Sequence, residues 1–190
     1  MKKIIVFLGL PGAGKGTQAK LYSNKYFLAH ISTGDMLRAA VHSGSELGAR
    51  VKKVIESGQL VSDELIIELI SERIERSDCE KGFILDGFPR TIPQAESFSR
   101  ILTEGGPSCA VYFELPEEEV LKRMSQRASK EGRVDDSKNT QFERIRVYKD
   151  QTEPLVQYYK SKGKLLIVNA LGDVDQVTSR LENAISNLSS

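Results

Sequence analysis

Gly9, Gly14 and Lys15 stand at the spacing G-x-x-x-x-G-K in the stretch GLPGAGKGTQ, directly after the apolar run Ile4 to Leu8. A strand that ends in a glycine-rich turn and opens into a helix aims several backbone N–H groups at one point, and the helix N-terminus adds partial positive charge. That arrangement suits a polyphosphate, with Lys15 reaching its outer phosphates and Thr17 in the first helical turn. Gly16 stands where the usual pattern has Ser or Thr. No side chain at that position can ligate magnesium, so phosphates and water must hold the metal. A second reactive stretch is FILDGFPR, Phe83 to Arg90. Its apolar strand delivers Asp86 at the carboxyl end, where ligands collect in open α/β sheets, and the carboxylate is suited to organising magnesium through water. Arg90, beyond Gly87 and Pro89, offers a bidentate fork for phosphate.

These residues need a scaffold, and the rest of the chain describes one. Short apolar runs alternate with segments of helical period, the pattern of βαβ units and a parallel sheet. The expected strands are Lys3 to Leu8, Leu28 to Ile31, Gly82 to Asp86, Ala110 to Leu115 and Leu165 to Asn169. Their near-continuous hydrophobicity suits strands covered by helices on both faces. Ser62 is expected to cap a helix whose Ile66, Ile70 and Ile74 face the core. Pro93 belongs in a first helical turn, with Gly105 and Gly106 at that helix's far end. Asp173 is expected to cap a last helix with an apolar stripe of Val174, Val177, Leu181, Ile185 and Leu188. Gly34 to Val61 reads as a helix-prone insertion, and Ala128 to Ser137 as a polar loop between two helices.

At 190 residues the chain suits one domain with small appended segments. Its 27 Lys plus Arg against 26 Asp plus Glu give no field favouring nucleic acid or an anionic membrane. Any anion site must be local. Cys79 and Cys109 lie far apart with no second ligand at zinc spacing, which points to buried thiols in a reducing cytosol. The opening MKKIIVFLGL imitates a secretory signal, but the run stops at Pro11 and a string of glycines, and no small-residue cleavage site follows. No other stretch approaches the ~20 apolar residues of a membrane span. The expectation is a soluble, cytoplasmic chain. A guanine-binding switch is disfavoured too, since Asn24-Lys25 continues into Tyr26 and Phe27 where an N-K-x-D element would need Asp.

GLPGAGKGTQ followed in order by ISTGDMLR, GQLVSDEL, LDGFPRT with Gln94, GRVDD and TEPL resembles the adenylate kinases in their short-lid form, along nearly the whole chain. GKGT is the usual form in that family, so Gly16 strengthens the resemblance. It implies an α/β fold of the P-loop NTPase type: a five-stranded parallel sheet flanked by helices, spanning 1–190, with an AMP-binding insertion at 32–61 and a short lid at 126–136. It also implies reversible, magnesium-dependent transfer of the terminal phosphoryl of ATP to AMP, giving two ADP. By the same resemblance Gly12, Ala13, Gly14, Lys15, Gly16 and Thr17 would hold the ATP phosphates, and Gly172 would lie by the ATP adenine. Thr33 and Arg38 would meet AMP, with the backbone of Gln59, Leu60 and Val61, the segment Gly87, Phe88, Pro89 and Arg90, and Gln94 reading the adenine edge. Arg123 and Arg127 would face ATP phosphates, while Arg133 and Arg144 would close on the transferred and acceptor phosphates.

An arginine set of this kind is what phosphoryl transfer asks for, because its catalysis is positioning plus electrostatic stabilisation. The attacking group is a phosphate oxygen already ionised near neutral pH, so no general base is needed, and His30 and His42 are expected to be structural or exposed. Asp135 and Asp136, beside Arg133, are expected to pair with arginines as the lid closes, or to cap the following helix. The lid contains no cysteine, which excludes a structural zinc there and leaves magnesium as the only metal expected. The expected partners are small nucleotides acting on a monomer, with neither nucleic acid nor membrane. A UMP or CMP kinase is the alternative within the family, disfavoured by Thr33 and by Gln94 in TIPQ. A nucleotide-binding module without catalysis is the alternative outside it, disfavoured by the joint presence of Lys15, Asp86 and the arginines.

Overall fold

The structure is a computed structural model that describes residues 2–102, 105–131 and 138–187. Strands β1 (Lys3–Leu8), β2 (Ala29–Ser32), β3 (Gly82–Asp86), β4 (Cys109–Glu114) and β5 (Leu165–Asn169) form one parallel sheet in the order β2-β3-β1-β4-β5. β1 is the central strand, and alternation sends its residues to two separate cores. Ile4, Val6 and Leu8 pack with Ile70, Phe98 and Leu155 on one face; Ile5 and Phe7 pack with Ala19, Met124 and Leu181 on the other. Burial on both sides explains why the strand reads as an unbroken apolar run. Three strands have the bounds expected from sequence. β2 and β4 are each displaced by one residue, because register is fixed by neighbours: Ser32 pairs with Asp86, and Cys109 with Ile5.

The helices are α1 (Lys15–Tyr26), α2 (Thr33–His42), α3 (Glu46–Glu56), α4 (Asp63–Ile74), α5 (Ile92–Ile101), α6 (Glu117–Glu131), α7 (Lys138–Val147), α8 (Pro154–Ser161) and α9 (Val174–Ser186). Ser62 caps α4 by accepting from the Leu65 amide, and Asp173 with Gln176 closes a reciprocal cap on α9. α1 differs: its cap is Gly14 at φ 93, with no side chain bonded to the first amides, which leaves those donors for a ligand. Five residues of π-helix, Tyr148–Thr152, join α7 to α8. π-turns of this kind tend to occur at functional sites.

Several expectations are corrected. α5 stops at Ile101, and Gly105 and Gly106 follow beyond its cap at positive φ. α6 continues through Glu131, so the first residues of the expected loop at Ala128 to Ser137 are helical, as suits good helix formers such as Ala128 and Lys130. The remainder, 132–137, lies outside the described residues. Val177, Leu181 and Ile185 do face the core, but Val174 is 47% exposed, because the first residue of α9 sits at the mouth of the cleft described next. Leu188 lies outside the described residues. No helix among the described residues is long and apolar enough to cross a membrane.

Candidate active site

A cleft of about 770 Å³ opens at the carboxyl ends of the strands, where the chain crosses from one side of β1 to the other. Gly12 to Thr17 form one wall, and Asp86, Arg38, Arg90, Arg123, Arg127, Arg144 and Gly172 contribute to the rest. A smaller cavity of about 60 Å³ adjoins it, lined by Thr33, Arg38, Gln59, Leu60, Val61, Gly87, Arg90, Gln94 and Arg144. The two share Arg38, Arg90 and Arg144, so guanidinium groups stand where one opens onto the other.

Lys15 is the centre of the electrostatics. Its ammonium donates to the carbonyls of Gly9 at 2.6 Å and Leu10 at 2.9 Å, folded back on the loop that carries it. Burial lowers its pKa to about 8; Asp86 opposes the shift, while Arg90, Arg144 and Arg127 reinforce it. Around Lys15 the positive charge of three arginines thus outweighs the one neighbouring carboxylate, a balance suited to a phosphate. Asp86 is largely withdrawn from water as well, its side chain 14% exposed. Burial works against its ionisation, but the His30 imidazole, the Lys15 ammonium and Arg90 outweigh it and hold the carboxyl below its usual range. His30 Nε2 lies 3.6 Å from Asp86 Oδ2, close enough for the imidazole to favour the ionised carboxylate, and both side chains are mostly hidden from water.

A Cβ at Gly16 would fall 3.2 Å from Asp86 Oδ2. A Ser or Thr there would crowd the carboxylate, so Gly16 and Asp86 fit one another. Among the described residues no group of three or more His, Cys, Asp or Glu side chains could hold a metal by itself. One ionised carboxylate beside a phosphate cradle does fit magnesium, which keeps most of its water and binds through few protein ligands.

Around the smaller cavity, Thr33 Oγ1 donates to Gly87 O at 2.8 Å and Arg90 Nε donates to the same carbonyl at 2.8 Å. Gln94 is 2% exposed: its Oε1 accepts from the Arg90 amide at 2.7 Å and its Nε2 donates to Asp63 Oδ1 at 2.6 Å. Each end of this amide retains a further hydrogen-bonding position, as reading a base edge requires. Arg38 pairs with Asp35 at 2.5 Å. Phe88 turns its ring into the core against Phe98, so only its backbone can serve a ligand. Arg123 spans from Glu119 to the carbonyls of Ala170 and Gly172, tying α6 to the turn before α9. Arg133, Asp135 and Asp136 lie outside the described residues. Sequence reasoning passed over Tyr148 and Thr152, which line the cleft. They follow Arg144 at intervals of four, a helical spacing that carried the signal.

The chain matches the family model described as Adenylate kinase over residues 7–164. It is 44% identical to an adenylate kinase of Acetivibrio thermocellus, over 97% of this chain and 98% of that protein. Identity to an adenylate kinase of Leptospira biflexa is also 44%, over 96% of this chain and all of the relative. For an adenylate kinase of Archaeoglobus fulgidus it is 43%, over 98% and 99%. Likeness of that extent, on a phosphate cradle faced by arginines, makes this chain a member of the adenylate kinase family.

Proposed function

We infer that the chain catalyses reversible transfer of the terminal phosphoryl group of ATP to AMP, giving two ADP, with magnesium. The observation that carries this reading is the pair of cavities with Arg38, Arg90 and Arg144 between them: two nucleotides entering from opposite sides would meet phosphate to phosphate. Gly12 to Thr17, Arg123, Arg127 and Gly172 serve ATP; Thr33, Arg38, Gln59 to Val61, Gly87 to Arg90 and Gln94 serve AMP. Arg144 and Lys15 follow the group in flight, and Arg133 joins them from the lid.

The acceptor oxygen arrives ionised, so the protein's work is to align it and to match the charge that develops on the transferred group. Magnesium, when bound through the water around Asp86, supplies further positive charge to the polyphosphate oxygens. The lid at 126–136 and the insertion at 32–61 exclude water, which would otherwise accept the phosphoryl group. Asp135 and Asp136 would pair with arginines as the lid closes, or cap the helix that follows. The near-balanced charge supports small nucleotides as the partners, with neither nucleic acid nor membrane, and the buried free thiols support a cytoplasmic location; a monomer is what family membership leads us to expect.

Assay of ADP release with AMP, UMP, CMP and GMP as acceptors tests the reading. AMP is expected to lead; turnover of UMP or CMP equal to or above that of AMP overturns the assignment of the acceptor.

A pH effect follows from Lys15. Phosphate oxygens beside the ammonium raise its pKa from about 8, so above that pH nucleotide binding draws a proton into the complex. Below pH 8 the lysine is already charged and uptake vanishes. Calorimetric titration with ATP in buffers of different ionisation enthalpy reads this directly. Uptake approaching about one proton is expected at pH ~9, very little at pH ~7, and none at either pH in Lys15→Met. Equal uptake in the variant would contradict the assignment.

A further inference from the structure

Where α3 ends, the chain runs against α7 along a short seam at the edge of the cleft. Thr140 Oγ1 donates to Glu56 O at 3.4 Å, and Gln59 Nε2 donates to Glu143 Oε1. Between these contacts Gly58, at φ +77, has no side chain to keep the two apart: a Cβ there would fall 2.9 Å from Arg144 Cγ and 3.1 Å from Thr140 Cγ2. Glu143 is itself held, since Arg146 of the same helix grips it with Nε at 3.0 Å and Nη2 at 2.6 Å. A fixed carboxylate on one side thus meets an amide on the other. What the seam joins gives it meaning. Leu60 and Val61, next to Gln59, line the smaller cavity, and Arg144, next to Glu143, lines both.

We propose that Glu143 is a positioning residue which, by holding the Gln59 side chain, docks the acceptor insertion on the helix that carries Arg144 and so sets affinity for AMP without touching either nucleotide. The proposal rests on the reading of 32–61 as the acceptor insertion. Docking before the nucleotide arrives keeps the binding-competent arrangement populated, and apparent affinity scales with that population. Losing the contact weakens AMP while leaving the ATP side alone. Turnover does not fall, because reopening after the reaction becomes easier. A contact that merely stabilised the fold would have no such one-sided effect.

Steady-state kinetics on the full chain test this. Glu143→Ala is expected to raise KM for AMP about threefold to tenfold, with KM for ATP within about twofold of wild type and kcat not reduced. Gln59→Glu opposes two carboxylates and is expected to raise KM for AMP at least as far. Adding Glu143→Gln to it restores the pair with donor and acceptor exchanged, and KM for AMP returns to within about twofold of wild type. An unchanged KM for AMP in Glu143→Ala, a parallel rise in both KM values, a fall in kcat, or failure of the exchanged pair to restore affinity overturns the proposal. Arg38→Ala separates the two levels. If it too leaves KM for AMP unchanged, the acceptor assignment fails and the proposal with it; if KM for AMP rises there while Glu143→Ala is silent, only the seam is refuted.

Discussion

Lys15→Met is expected to lower turnover by at least about a hundredfold, a loss of about 2.7 kcal/mol of transition-state stabilisation, in a protein that folds normally. Methionine occupies nearly the same volume and keeps the unbranched stem, so packing on the loop changes little. What disappears is the ammonium that stands among Asp86, Arg90, Arg127 and Arg144. In the unliganded fold that ammonium is a burden, as the fall of its pKa to about 8 from 10.5 records. Folded chain then binds fewer protons than unfolded chain between those values, so its stability rises with pH across that window. At neutral pH the variant sheds this penalty, although it also leaves the Gly9 and Leu10 carbonyls without the lysine as donor. Thermal melting near or above wild type, with turnover down a hundredfold, is the expected pair of results. Turnover near wild type in the folded variant would remove Lys15 from the chemistry.

Arg90→Ala is expected to cost at least about as much, about a hundredfold in turnover. Arg90 has two attachments that aim it: Nε donates to Gly87 O at 2.8 Å, and the backbone amide is held by Gln94 at 2.7 Å. The guanidinium is therefore directed before substrate arrives, and its place between the cavities puts it where donor and acceptor phosphates would converge. Arg90→Lys keeps the charge and loses the planar fork, so a result between alanine and wild type is expected if geometry contributes beyond charge. Rates are to be measured in both directions, because losing a group that stabilises the transition state slows both alike. An alanine variant that folds and turns over normally would show that Arg90 only braces the Gly87 loop.

Much of this site is legible in the sequence because its chemistry tolerates few substitutes. A cradle of amides needs glycines at set intervals, and a strand that ends in Asp86 and a turn that presents Arg90 lie within one short stretch. Strand existence was equally plain, since burial on both faces leaves an apolar run. What escaped was information carried by partners distant in the chain. The one-residue displacements of β2 and β4 depend on which neighbour each strand meets, and hydrophobicity alone does not encode that. The extent of α6 was hidden because Ala128 to Lys130 serve a helix as well as a polar loop. His30 looked like any histidine until the fold set it beside Asp86, and nothing in Gln59 or Glu143 announces that residues 84 positions apart share a hydrogen bond.

The two thiols have a practical consequence. Cys79 and Cys109 are 0% and 1% exposed, and burial pushes both thiols up, Cys109 to about 11. Neither offers much thiolate to a maleimide at neutral pH. Cysteines introduced on the surface of α2 and α6 can therefore carry a dye pair in the otherwise native chain, and fluorescence energy transfer can follow the distance between them as nucleotides are added.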